Sequence, residues 1–177
     1  MTQKSTYLIF KDAWTFPEQV ERRIASFVNK HPGTWLHAPS GISKLCREQT
    51  IDKSKVKMVT FDKDPRVKPD IIGDMFSMSR NKEIKALGEI TGVVSDPVWY
   101  TEDKDKTVGL SYPQRRYLGY EVRDILKPGG YWVFNGLWLP QTKGMKILEP
   151  IEIPAQKFAS FRNVSLIVYS QKVNGRI

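Results

Sequence analysis

The run 93–100 reads Val-Val-Ser-Asp-Pro-Val-Trp-Tyr, so an apolar stretch delivers Asp96, Pro97, Trp99 and Tyr100 to one point. A carboxylate at the end of a buried strand accepts hydrogen bonds from an exocyclic amine. Pro97 stiffens the turn that follows by fixing φ, and Trp99 or Tyr100 offers a face on which a flat ring stacks. Together these groups suit the handling of a planar, amino-bearing ring.

Other turns carry residues of related kinds. His37-Ala38-Pro39-Ser40-Gly41 follows the apolar run Thr34-Trp35-Leu36, and Gly41 lets backbone approach a ligand closely. Asp62 closes the run 57–61, about 20 residues after that glycine, where an acidic residue commonly binds ribose hydroxyls in nucleotide-binding sheets. Asp74, with Met75 and Phe76 behind it, closes Ile71-Ile72-Gly73. The single cysteine and two histidines form no cluster with metal-ligand spacing, so no metal is expected.

An alternation of helices and strands positions these turns. Pro17 at a first-turn position, with Val20, Ile24, Phe27 and Val28 at helical spacing, predicts a helix over 17–29 that His31-Pro32-Gly33 ends. Strands are predicted at 34–38, 57–61, 71–74, 91–95 and 131–134. Helices are predicted from 44, over 82–87, and over 112–126, where Leu118, Val122 and Ile125 share a face and Lys127-Pro128-Gly129-Gly130 ends the run. The charge-rich stretch 101–106 reads as a loop able to close over a substrate. In the tail, 146–153 and 163–169 are strand-like with no helix between them, which predicts a closing hairpin. The result is an α/β fold: a Rossmann-like, doubly wound, mostly parallel seven-stranded sheet whose C-terminal hairpin supplies an antiparallel strand. In such sheets ligands bind beyond the carboxyl ends of the strands, so the turns named above should converge on one crevice.

The 177 residues fit a single domain, 1–177, with a substantial core. Hydrophobic content of 40% and charged content of 27% are those of a soluble globular chain, and no apolar run has membrane-spanning length. The N-terminal apolar stretch is too short for a signal peptide, and Cys46 has no internal partner, so an intracellular, cytoplasmic location is expected. A net charge of +9 favours polyanions, either nucleic acid or an anionic membrane surface. Lys53, Lys55, Lys57, Lys63, Arg66 and Lys68 form the densest basic group, and Arg115 and Arg116 a second.

The turn order is a glycine after the first strand, an acid after the second, an Asp after the third, Asp-Pro-x-aromatic after the fourth and Leu126-Lys127-Pro128-Gly129-Gly130 before the fifth. It resembles class I S-adenosylmethionine-dependent methyltransferases over nearly the whole chain. Within them, Asp96-Pro97-Val98-Trp99 is similar to the Asp-Pro-Pro-Tyr/Phe/Trp motif of amino-methyltransferases that modify adenine N6 or cytosine N4. Phe16-Pro17 resembles their N-terminal cofactor motif. The resemblance implies S-adenosylmethionine as cofactor, bound by Phe16, His37, Ala38, Pro39, Ser40, Gly41, Asp62, Asp74 and Met75, with Asp96, Pro97, Trp99 and Tyr100 catalytic. The chain departs from the pattern at His37, where an acid is usual. It departs again at Gly41-Ile42-Ser43 in place of Gly-x-Gly, and at Val98 in place of the second proline. These departures bear on cofactor affinity and catalysis, not on the fold.

The implied activity is methyl transfer to an exocyclic amino group of a nucleic-acid base, N6 of adenine foremost. No insertion is long enough for a duplex target-recognition region, so the expected substrate is structured or single-stranded RNA or DNA, or specificity comes from a protein partner. Two alternatives stand beside this. One is a methyltransferase for a protein side-chain amide or a small molecule, and the other is a catalytically silent relative that binds nucleic acid or a partner subunit.

Overall fold

The computed structural model of the chain describes residues 18–41, 45, 51–97, 112–136, 139–153 and 165–173. Helix α1, Glu18–Asn29, buries Val20, Ile24 and Val28 along one face and leaves Arg22 and Arg23 exposed on the other. It closes where the backbone amides of Lys30 and His31 donate to Phe27 and Val28 carbonyls, and the His31 ring nitrogen Nδ1 lies 2.8 Å from the Phe27 carbonyl oxygen. Pro32 cannot extend the helix, and Gly33, at φ 132°, turns the chain into strand β1, Gly33–His37.

The remaining strands are β2 (Val56–Asp62), β3 (Ile71–Ile72), β4 (Ile90–Ser95), β5 (Leu126–Gly136), β6 (Met145–Ile153) and β7 (Ser165–Lys172). They form one seven-stranded sheet in the order β3-β2-β1-β4-β5-β7-β6. Pairings from β3 through β5 are parallel, and β7 runs antiparallel to both β5 and β6. This is the doubly wound, mostly parallel sheet with a closing hairpin that the sequence predicts. The strand order reverses direction at β1 and β4, which are neighbours, and it is beyond such a switch point that sheets of this kind bind ligands.

Helices α2 (Lys82–Ala86) and α3 (Tyr112–Ile125) complete the described α-structure, with 3-10 turns at Pro65–Val67 and Met75–Arg80. Alternate residues of each buried strand feed two cores. Leu36, Val93, Trp132 and Phe134 pack with Leu118 and Val122 of α3, and Trp35, Val94 and Val133 pack with Val20, Ile24 and Val28 of α1. Burial of each such side chain contributes about 1.5–3 kcal/mol. The Trp132 indole N–H donates to Ser95 Oγ at 2.6 Å, which ties the end of β4 to β5 inside the core. Gly92 lies flat against Trp35, where an added Cβ would come within 2.3 Å of the ring.

The expected stop after α3 takes another form. β5 starts at Leu126, directly after the helix, and the Lys127-Pro128-Gly129-Gly130 segment bulges within the strand. Ile90 pairs with Leu126 and Gly92 with Tyr131, so the chain gains residues on the β5 side alone, and Gly129 at φ 73° accommodates the bend. The third strand is two residues long, shorter than predicted. The helix expected from 44, apart from Leu45, and the loop 101–106 lie outside the described residues. No described helix is long and apolar enough to cross a membrane.

Candidate functional site

Because β1, β2, β3 and β4 are parallel, their carboxyl ends share one edge of the sheet. The turn leaving β1 is stitched to both neighbours: the Ala38 amide donates to the Val94 carbonyl at 2.9 Å and the Ser40 amide to the Phe61 carbonyl at 3.0 Å. Ala38 and Ser40 are buried, the Ala38–Pro39 peptide is cis, and Gly41 follows at φ 50°, a backbone state that suits glycine.

Asp62, at the end of β2, joins three turns. Its Oδ2 accepts the Gly41 amide and its Oδ1 the Asp64 amide, both at 2.9 Å, while its carbonyl accepts the Gly73 amide at 3.0 Å. Only 7% of Asp62 is exposed. An ionised carboxylate has about four acceptor sites, so these two amides leave capacity for the hydroxyls of a ribose. The Gly41 amide itself is directed at Asp62.

His37 ends β1 between Thr60 and Val94 and is 1% exposed. Burial, which penalises the imidazolium, lowers its pKa from 6.5 to about 3, so the ring is neutral at physiological pH. The position where an acid is usual in the resembling enzymes therefore carries no charge.

Asp74 is exposed and caps the 3-10 turn Met75–Arg80. Its Oδ1 accepts the Phe76 amide at 2.8 Å, and its carbonyl accepts the Ser77 amide and hydroxyl. Met75 and Phe76 are half-buried and pack against the core. At the fourth strand, Ser95 is fully buried, Asp96 is half-buried and Pro97 is buried. The structure thus brings His37, Ala38, Pro39, Ser40, Gly41, Asp62, Asp96 and Pro97 to one edge, with Asp74 and Met75 linked to it through the Gly73–Asp62 bond. Phe16, Trp99 and Tyr100 lie outside the described residues.

One residue escaped the sequence reading. Glu21, in the first turns of α1, is 3% exposed. The residues between α1 and β1 that precede Gly33 reverse the chain, so the start of α1 lies toward the same carboxyl edge. The signal was present in sequence as an acid beside Val20, within the apolar face that Ile24 and Val28 continue.

No protein-family model matches the chain, and no curated protein matches it in sequence. Solved structures match it in fold. The N-methyltransferase NodS from Bradyrhizobium japonicum WM9, in complex with S-adenosyl-L-homocysteine, superimposes with a TM-score of 0.60 at 12% identity, over 88% of this chain and 87% of that one. TrmN from Thermus thermophilus gives 0.59 at 11% identity, over 86% of this chain and 48% of its own. The 1,6-didemethyltoxoflavin-N1-methyltransferase of Burkholderia thailandensis, with bound 1,6-didemethyltoxoflavin and S-adenosylhomocysteine, gives 0.56 at 13% identity, over 96% and 85%. The chain therefore has the Rossmann-like fold of S-adenosylmethionine-dependent methyltransferases.

Proposed function

We propose that the chain transfers a methyl group from S-adenosylmethionine to an exocyclic amino group of a nucleic-acid base, with N6 of adenine the first target. One observation carries this: the Gly41 turn, the Asp62 carboxylate and the Asp96-Pro97 pair share the carboxyl edge at the point where the strand order reverses. NodS and the toxoflavin enzyme, which share the fold, hold S-adenosylhomocysteine, the demethylated form of that cofactor. The residues present fit the same group. Asp62 retains acceptor capacity for ribose hydroxyls, the left-handed Gly41 turn admits close backbone approach, and Asp74 with Met75 would flank the adenine.

When bound, S-adenosylmethionine supplies a methyl group on a sulfonium, an electrophile that becomes a neutral thioether on transfer. The amine lone pair of adenine or cytosine is delocalised into the ring, so the protein's part is to hold the nitrogen in line and favour its pyramidal form. Asp96 accepts a hydrogen bond from the amine, helped by the Pro97 carbonyl. As the new N–C bond forms and the sulfonium S–C bond breaks, the nitrogen becomes cationic, and its surplus proton passes to the Asp96 carboxylate and from there to water. Trp99, or Tyr100 in its place, stacks on the base, which must first leave any duplex.

A second reading has its own observation. The toxoflavin enzyme carries a small heterocycle, and its fold spans 96% of this chain, so methyl transfer to a small molecule is the alternative substrate class. The neutral His37 in place of an acid favours a third, a silent relative that keeps the fold and binds nucleic acid or a partner.

Titration calorimetry with S-adenosylmethionine, beside an Asp62→Ala variant, tests the cofactor. Binding in the micromolar range, about −8 kcal/mol, that the variant loses supports the reading. A folded protein that binds none of it favours the silent relative. Labelled-methyl transfer to RNA, DNA, protein and small amines then separates the substrate classes.

A further inference from the structure

On the sheet face opposite α1, helix α3 carries cations and aromatics on its solvent side. Residues turn about 100° each around a helix, so Arg116, Tyr120 and Arg123 fall in line, with Tyr117 beside them. Leu118 and Val122 point to the core. Arg116 Nη2 donates to the Tyr120 hydroxyl at 3.1 Å, and the Arg123 guanidinium lies 4.9 Å from the Tyr120 ring centre. Tyr117 is 63% exposed.

The returning segment before β6 adds a further cation. A Cβ on Gly119 would meet Thr142 Oγ1 at 2.0 Å, so a glycine there lets the segment lie directly on α3. Arg123 Nη1 donates to the Lys143 carbonyl at 3.3 Å, and the Met145 amide closes a turn on the Thr142 carbonyl at 3.0 Å. Lys143 is thereby held beside the arginines. Hydrogen bonding from Arg116, then the charges of Arg116, Arg123 and Lys143, hold the Tyr120 phenol below its usual pKa, so these cations converge on one point. Asp124, 2.7 Å from Arg123 Nη2, offsets part of that charge.

We propose that this face of α3, formed by Arg116, Tyr117, Tyr120, Arg123 and Lys143, binds the sugar-phosphate backbone of single-stranded nucleic acid beside the methyl-transfer crevice. The inference rests on the nucleic-acid reading above and gives it a docking surface. Guanidinium groups match phosphate geometry. An exposed tyrosine beside them, Tyr117, stacks on an unpaired base, which a duplex does not offer. Because α3 runs directly into the start of β5, which lies at the amino edge of the parallel strands, its first turns lie toward the carboxyl edge, so a strand tracking the helix leads to Asp96.

The test uses fluorescence anisotropy of the full chain with a labelled single-stranded RNA of roughly 20 mixed nucleotides, over salt from about 50 to 200 mM. Compared are the wild type, Arg116→Gln/Arg123→Gln, Lys143→Gln, Tyr117→Ala and an Arg22→Gln/Arg23→Gln control on α1, each checked by circular dichroism. The α3 double variant is expected to bind at least tenfold more weakly, with a salt slope shallower by about 1.4, because each phosphate that a cation neutralises adds about 0.7 to it. Lys143→Gln should show about half of that slope change, and the control should match the wild type. Binding and slope unchanged in the double variant, or no RNA binding by the wild type, would overturn the proposal. So would retained RNA binding together with weakened affinity for phosphatidylcholine vesicles containing phosphatidylserine, which would make the face a membrane-binding surface. Calorimetry with S-adenosylmethionine and labelled-methyl transfer are read separately. Methylation of RNA with an unchanged KM in the double variant sinks this surface alone, whereas absent cofactor binding sinks the methyl-transfer reading.

Discussion

Acidification should destabilise this protein through His37 before its carboxylates protonate. The ring is buried at the end of β1, and burial lowers its pKa from 6.5 to about 3. In the unfolded chain the imidazole takes up a proton as pH falls through 6.5, while the folded chain stays neutral until far lower. Stability is therefore complete above pH 6.5 and is lost progressively as pH falls from there toward about 3. Each pH unit in that window costs about 1.4 kcal/mol, so going from about pH 7.5 to about pH 5 removes about 2 kcal/mol. That is a large share of a typical folding free energy of about 5–15 kcal/mol. Urea unfolding of the wild type and a His37→Gln variant at both pH values isolates the effect, because the amide does not titrate and carboxylate effects cancel in the comparison. The variant should be the less stable at neutral pH and show about 2 kcal/mol less acid sensitivity. Equal losses in the two proteins, or a histidine resonance titrating near 6.5 in the His37 position, would refute a dry, neutral ring beneath the turn.

Other substitutions have equally definite outcomes. Asp62→Asn leaves one acceptor oxygen and an NH2 facing the amide of Gly41 or Asp64, so stability should fall by about 2 kcal/mol and calorimetric affinity for S-adenosylmethionine should fall at least tenfold. Gly92→Ala drives a methyl into the fully buried Trp35 ring and should cost about 3 kcal/mol or prevent soluble expression. Trp132→Phe removes the donor to Ser95 Oγ and should lower stability by about 1–2 kcal/mol in chemical denaturation. Asp96→Ala should reduce labelled-methyl transfer by about two orders of magnitude or more while leaving cofactor binding and thermal melting near wild type.

The alternation of elements was readable because each rests on a local signal. The face of Val20, Ile24 and Val28 marks α1, the apolar runs mark β1, β2 and β4, and the tail without a helix marks the β6–β7 hairpin. The bulge in β5 was not readable. Pro128-Gly129-Gly130 announces a bend, but whether the bend precedes the strand or sits inside it depends on pairing with Ile90, 36 positions earlier than Leu126. The gathering of the candidate site residues at the carboxyl edge followed from the order of the turns, but the bonds among them did not. Asp62 reaches Gly41 across 21 positions, and only the packed sheet shows that its carboxylate holds the turn. The neutrality of His37 is likewise a consequence of burial, which spacing does not encode.

Chain length between β5 and β6 explains why, among the described residues, the link between them leaves part of the outer face of α3 uncovered. Both strands run antiparallel to β7, so they are parallel to each other, and a parallel return usually needs a dozen or more residues with a helix. Here residues 137–144 suffice, between Gly136 and Met145. Gly136 lies level with Leu166 and Met145 with Lys172, so the link must descend about 20 Å at 3.4 Å per residue of β7. Wound as a helix, eight residues advance only about 12 Å. Residues 139–144, the described part of the link, contain no helix and cross α3 as a strap that ends in the turn at Thr142. A strap is narrow: it touches α3 at Gly119 and Arg123 and leaves Arg116, Tyr117 and Tyr120 facing outward. Lengthening the link enough to form a helix would cover that basic, aromatic arc. The short link therefore connects two strands and also sets how much of the outer face of α3 its described residues cover.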